Sequence, residues 1–221
     1  MDDVVISVEN ISKSFGGVNA LQQVSMTVRR GEIHCLAGEN GSGKSTLIKV
    51  ISGYYRPDSG TPAESIRHGV QVIYQDFSLF PNLSVMENLA LNAEVARGSH
   101  LVSYRRMRET AQQAVEKIGL DVDMNARVAD LSVADRQMIA IARALAHKAK
   151  VVIMDEATAS LTRKEVNRLF DVIHAMRDEG VAVVFVSHKL DEVFEISDAI
   201  TIFRNGKNVV SCPANEMDEA R

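Results

Sequence analysis

The stretch Gly38-Glu39-Asn40-Gly41-Ser42-Gly43-Lys44-Ser45 constrains this 221-residue chain more than any other. It follows a short apolar run, Ile33 to Ala37, and precedes Leu47, Ile48, Val50 and Ile51 at helical spacing. Its glycines let successive backbone N–H groups turn inward, and the following helix offers unpaired donors at the positive end of its dipole. Such a cradle accepts an anion. The G-x-x-x-x-G-K-[ST] spacing between a strand and a helix points to the phosphates of ATP, with Thr46 continuing the set. Lys44 would meet the β- and γ-phosphates as a point charge. Ser45 would ligate Mg²⁺, a hard cation that prefers oxygen. A Gly/Ser turn beside a solvated lysine is the bland alternative, and the strand-and-helix context argues against it.

A phosphate cradle hydrolyses nothing without a second acidic element. Val151 to Met154 is a continuous apolar run of strand length, and Asp155 and Glu156 follow it at the carboxyl edge of the expected sheet, where open α/β sheets bind ligands. Asp155 would support the metal and Glu156 would polarise the attacking water as general base. A helix-terminal charge cluster is the alternative, and it explains one carboxylate better than two. Ala182 to Val186 is a second such run, and Val166, Leu169, Phe170, Ile173 and Met176 between them form an amphipathic helix closed by Gly180.

The rest of the chain divides by periodicity. Val24, Met26 and Val28 alternate as in an antiparallel strand. Met107, Ala111, Ala114, Val115 and Ile118 mark one helix ending at Gly119, and Met138, Ile141, Ala142 and Leu145 mark another that starts at Ser132. Asn205-Gly206 between Thr201–Phe203 and Asn208–Val210 is a hairpin signal. A single domain over residues 1–221 is expected, with a helical insertion over approximately 79–146. The net charge of −4 argues against a nucleic-acid partner. Cys35 and Cys212 fit no metal-ligand or disulfide pattern, and the N-terminus lacks the features of a secretory signal. No run of about 18 apolar residues occurs, so any transport role needs separate membrane subunits.

From about Val4 to Val210 the chain resembles the ATP-binding-cassette (ABC) family. Leu131-Ser132-Val133-Ala134-Asp135-Arg136-Gln137 is similar to the family signature and stands shortly before the Asp155-Glu156 strand. Gln75 in Ile73-Tyr74-Gln75-Asp76 matches the Q-loop glutamine, a metal and nucleotide contact, and His188 in Ser187-His188-Lys189 matches the switch histidine. Phe15 stands where an aromatic stacks on adenine, with a core role as the open alternative. The resemblance implies a P-loop NTPase core of the α/β class, with a mainly parallel sheet, an N-terminal antiparallel β subdomain and an α-helical signature subdomain. It also implies ATP hydrolysis coupled to transport, with Glu156 and His188 as catalytic residues; a non-transport cassette ATPase and a weakly hydrolysing regulatory nucleotide-binding domain are the alternatives.

Family signatures bind the γ-phosphate held by an opposite cassette. Ser132 is kept here, but Ala134 and Asp135 replace the usual glycine and glutamine. A carboxylate about 5 Å from phosphate would cost about 3 kcal/mol at an effective dielectric of about 20. The plain alternative is an S-x-x-D helix cap. Ala37 to Gly41, the signature, and Ser187 to Val193 look most like the first ATPase half of carbohydrate importers, of the ribose or pentose type. This implies partners: a second cassette, as a continuation of the chain or a second copy, membrane permease subunits, and indirectly a periplasmic solute-binding protein. The implied location is peripheral, on the cytoplasmic face of the inner membrane. Two further departures stand out. The family hairpin near Thr61, ahead of Pro62 to Ser65, is cut short, and the Ala159-Ser160-Leu161-Thr162 segment lacks the common aspartate. Phe77, Phe80 and Leu83 are expected to form the permease-facing surface, with internal packing as the alternative.

Overall fold

The computed structural model describes residues 3–62, 69–73, 79–96 and 102–217. These form nine strands and six helices: β1 (Val4–Phe15), β2 (Val18–Arg29), β3 (Ile33–Ala37), α1 (Lys44–Ile51), β4 (Ser59–Pro62), β5 (Val70–Ile73), α2 (Val85–Ala96), α3 (Tyr104–Lys117), α4 (Val133–Ala146), β6 (Val151–Asp155), α5 (Arg163–Asp178), β7 (Ala182–Ser187), α6 (Leu190–Ile196), β8 (Ala199–Arg204) and β9 (Lys207–Pro213).

Two compact units result, one of residues Met1–Val72, Lys150–Thr158 and Ile173–Arg221, the other of Ile73–Ala149 and Ala159–Val172. The first contains a three-stranded sheet ordered β2-β1-β4 and a six-stranded sheet ordered β5-β6-β7-β3-β8-β9. In the smaller sheet, β1 pairs antiparallel with both β2 and β4. In the larger one, β6, β7, β3 and β8 run parallel and β9 returns antiparallel along β8. This is the α/β arrangement read from the sequence, a mainly parallel sheet with an N-terminal antiparallel one.

Burial explains the two kinds of strand. Every residue of β3 and β7 is buried, because parallel strands are covered on both faces. Only alternate residues of β2, among them Val24, Met26 and Val28, face the core. One hydrophobic cluster joins Ile6, Val8 and Met26 of the smaller sheet, Leu47, Ile48 and Ile51 of α1, and Val151, Val184 and Val186 of the larger.

The second unit is helical, with α2 packed on α3 and α4 and α3 on α4. Its helices are capped by short polar side chains. Ser84 and Glu87 bond reciprocally at the start of α2, Ser103 accepts from Arg106 N at α3, and Thr162 N donates to Glu165 at α5. The buried carboxylate of Glu94 pairs with Arg106, and the amide of buried Asn88 holds Phe80 N (2.8 Å) and Phe80 O (3.0 Å).

Candidate active site

The phosphate loop forms because its backbone takes conformations that side chains resist. Gly38, Gly41 and Gly43 have φ of 142°, 79° and 111°. A Cβ on Gly38 would lie 2.3 Å from Phe203 O, and one on Gly43 would lie 2.6 Å from Ala20 O. The Asn205-Gly206 turn closes over the loop's outer side. Gly206 N donates to Ser42 O (2.9 Å), and Gln22 N donates to Gly206 O (2.7 Å). Asn205 and Gly206 both have positive φ, 51° and 76°, which suits a two-residue hairpin turn. The sequence announces this hairpin, but no local signal in it says that its tip braces a loop more than 160 residues earlier.

Lys44 opens α1 and is buried, while Glu39, Asn40, Gly41 and Ser45 are exposed and Thr46 is half-buried. The Lys44 ammonium donates to Gly38 O (2.7 Å) and Glu39 O (2.8 Å), so it lies curled against the loop that it would serve. Burial lowers its pKa, and the charges of Glu156 and Asp155 oppose that shift. The Ser42 hydroxyl is buried and has no partner among the described residues. Positive-φ glycines, a buried cation and a spare hydroxyl together suit a polyanionic ligand.

Asp155 ends β6, with the Ser45 hydroxyl close enough to influence its carboxyl. Burial raises its pKa, the Ser45 hydroxyl opposes this, Glu156 adds to it, and Lys44 and Lys49 oppose it. The pair Ser45 and Asp155 supplies oxygen donors of the type Mg²⁺ prefers. Glu156 follows in the left-handed region at φ 52°, with its N–H donating to Val186 O (3.2 Å). A non-glycine residue there costs of order 1 kcal/mol or more, and such strain gathers at functional sites. The Glu156 carboxylate stands 3.4 Å from His188 Nδ1, across the ends of the neighbouring strands β6 and β7.

The structure therefore gathers Gly38 to Thr46, Asp155, Glu156 and His188 in one unit. Phe15, in the same unit, is 41% exposed. Its ring lies 5.1 Å from that of Tyr55, with the Lys13 ammonium 5.4 Å from its centroid. Gln75 lies outside the described residues, as do Phe77 and the segment from Ala63 to Ser65. In the helical unit, Ser132 is the N-cap of α4. Its Oγ accepts from Asp135 N (3.1 Å) and donates to Asp135 Oδ2 (2.7 Å), while Ala134 is half-buried. The cap geometry expected of S-x-x-D is present.

Residues that motif reading passed over complete the setting. Thr158 and Glu192 are buried and bonded to each other, Thr158 two residues after Glu156 and Glu192 four after His188. The signal was available, since Glu192 occupies the apolar face of α6 with Val193 and Ile196. His34 is a satisfied core histidine, 2.8 Å from both Glu32 and Thr201. Burial pushes the Cys35 thiol up to about 12, which leaves it inert.

Residues 21–159 match the family model described as ABC transporter. The chain is 44% identical to the ribose import ATP-binding protein RbsA 3 of Rubrobacter xylanophilus, with 98% of this chain and 46% of that protein covered. It is 42% identical to the ribose import ATP-binding protein RbsA of Corynebacterium glutamicum, covering 97% of this chain and 43% of that protein. The chain thus spans about half the length of these relatives. Among solved structures it is similar to cbiO1 from Clostridium perfringens, part of the ABC transporter complex cbiONQ, with a TM-score of 0.85 and 25% identity over 97% of this chain and 90% of that one. With the family model covering well over half of its length, and these relatives matching nearly all of it, the chain belongs to the ABC transporter family.

Proposed function

We propose that this chain binds and hydrolyses ATP and thereby powers the import of a sugar through separate membrane subunits. The observation that carries the chemistry is the single constellation of a positive-φ glycine loop, the buried Lys44, the Ser45 and Asp155 oxygens and the Glu156–His188 pair. Gly38 to Thr46 would surround the phosphates, and Phe15 would stack on the base. Mg²⁺, when bound, would neutralise developing charge, with Ser45, Asp155 and Gln75 as the residues to hold it. Glu156 would take the proton of the attacking water, and His188 would orient that carboxylate and the γ-phosphate.

The import of a ribose-like sugar rests on the relatives' names and on their extent of match. A second cassette, permease subunits and, indirectly, a solute-binding protein complete the assembly, which places the chain on the cytoplasmic face of the membrane. No helix among the described residues is long and apolar enough to cross a bilayer, consistent with a peripheral role. Phe80 is 51% exposed on a loop held by Asn88, which supports its use as permease-facing surface; Leu83 is half-buried. The Ser132–Asp135 cap supports an asymmetric pair, in which this chain's own phosphate site is complete and the one its signature offers to the partner is weakened by the carboxylate. Asp135→Gln is then expected to tighten nucleotide binding in the paired state by about 100-fold.

Titration calorimetry of the full chain with Mg-ATP tests the reading. Binding is expected in the wild type and in Glu156→Gln, with turnover in the latter lower by at least about 100-fold. Lys44→Ala is expected to abolish both. Undiminished hydrolysis by Glu156→Gln would overturn the assigned base, and the absence of nucleotide binding by wild type would overturn the whole proposal.

A further inference from the structure

Glu192 is a buried carboxylate that the chemistry above does not use, and it lies in the middle of a polar network. Its Oε2 accepts from the hydroxyls of Thr158 (2.5 Å) and Ser187 (3.2 Å), and its Oε1 accepts from the Lys189 ammonium (2.9 Å). The same ammonium donates to Thr158 O (3.3 Å), and Lys189 N donates to Ser187 Oγ (3.1 Å). Thr158 and Ser187 are themselves almost wholly buried. Taking a carboxylate out of water is costly unless several donors compensate, so this arrangement implies that the residues it joins are to be held in one geometry.

Those residues are the flanks of the candidate catalytic pair. Thr158 is two residues after Glu156, and Ser187 and Lys189 stand on either side of His188. The ends of β6 and β7 are otherwise joined here by the Glu156 N–H to Val186 O bond and by the 3.4 Å approach of Glu156 to His188. A carboxylate bonded to both loops at once sets how far apart their tips stand. We propose that Glu192 is a positioning residue for nucleotide hydrolysis, a clamp that holds the loops after β6 and β7 so that Glu156 and His188 face one another. This rests on the reading that the site hydrolyses ATP. It assigns Glu192 no contact with nucleotide, metal or water; it acts through Thr158, Ser187 and Lys189.

A displacement of about 1 Å in a reacting group can cost about 100-fold in rate. In the full chain with its membrane subunits, Glu192→Ala is therefore expected to lower kcat by about 10- to 100-fold while the dissociation constant for ATP changes less than about threefold. The readout that separates positioning from mere stability is a double-mutant cycle with His188→Ala. If Glu192 acts through the pair, adding Glu192→Ala to His188→Ala costs no more than about a further two- to threefold, far short of the product of the single losses. Multiplying losses, or a kcat per nucleotide-binding molecule equal to wild type, would overturn the proposal. Should Glu192→Ala fail to fold, the near-isosteric Thr158→Val removes one clamp bond, and a several-fold fall in kcat with unchanged ATP affinity is expected; an unchanged kcat would overturn it. The wild type in the same assay keeps the two readings apart, since a wild type without turnover contradicts the proposed hydrolysis and not the clamp alone.

Discussion

At the scale of single residues, the site is costly to the fold in ways that can be measured. Burial lifts the Asp155 carboxyl above its ordinary 3.8, so the folded chain keeps that proton over a pH window in which the unfolded chain has already released it. Stability must fall as pH rises through this window, and at neutral pH the ionised group is a net cost to the nucleotide-free protein. Asp155→Asn is thus expected to raise the thermal midpoint at pH 7, with turnover lost; calorimetric melts at pH 4 and pH 7 would show the gain shrinking on acidification. The loop glycines give a graded test. Gly38→Ala meets both a positive φ and the Phe203 carbonyl and should cost about 3 kcal/mol, whereas Gly41→Ala has open space around its Cβ and should cost about 1 kcal/mol, both read from urea unfolding. The two lysine-bonded carbonyls, Gly38 O and Glu39 O, were not legible beforehand, because spacing predicts that Lys44 faces a ligand but not which backbone carbonyls its ammonium meets.

At the scale of elements, patterning was informative wherever one physical period dominated. The uninterrupted apolar runs became β3, β6 and β7, the 3.6-residue repeats became α3, α4 and α5, and Asn205-Gly206 became the β8–β9 turn. Reading stopped at the strand ends because Asp155 reads as a loop residue yet is the last residue of β6, and Glu156 shows no sign in sequence of its left-handed backbone. The core face of α4 is also wider than the stripe its periodicity suggested. Ile139, Ala140 and Ala144 are buried as well, while Leu145 is only half-buried, because a helix packed on both α2 and α3 hides more than one side. At the N-terminus of that helix, Ser132→Ala removes the acceptor of the Asp135 N–H and should cost about 1 kcal/mol in a denaturant titration.

At the scale of the whole molecule, what sequence could not supply was contact between distant segments. Glu192 with Thr158, Gly206 with Ser42, and Phe15 with Tyr55 are long-range pairings that no local period encodes. The α/β class was legible because it follows from the order of buried runs and amphipathic helices; the ordering β5-β6-β7-β3-β8-β9 was not, since strand neighbours are chosen by packing. That order predicts the hierarchy of local opening. Amides of Val183 to Val186 and Cys35 to Ala37, at the centre of the larger sheet, are expected to exchange with solvent last, and those of the exposed end of β9 much earlier, in hydrogen-exchange mass spectrometry.

The bond from Gly206 to Ser42 carries a consequence for biosynthesis. The glycine-rich octapeptide leaves the ribosome well before the turn that seats it is made. A nascent polypeptide halted before Asn205 therefore holds the glycine loop without the Gly206 donor to Ser42 O, so the loop is fully braced only after the β8–β9 hairpin has emerged.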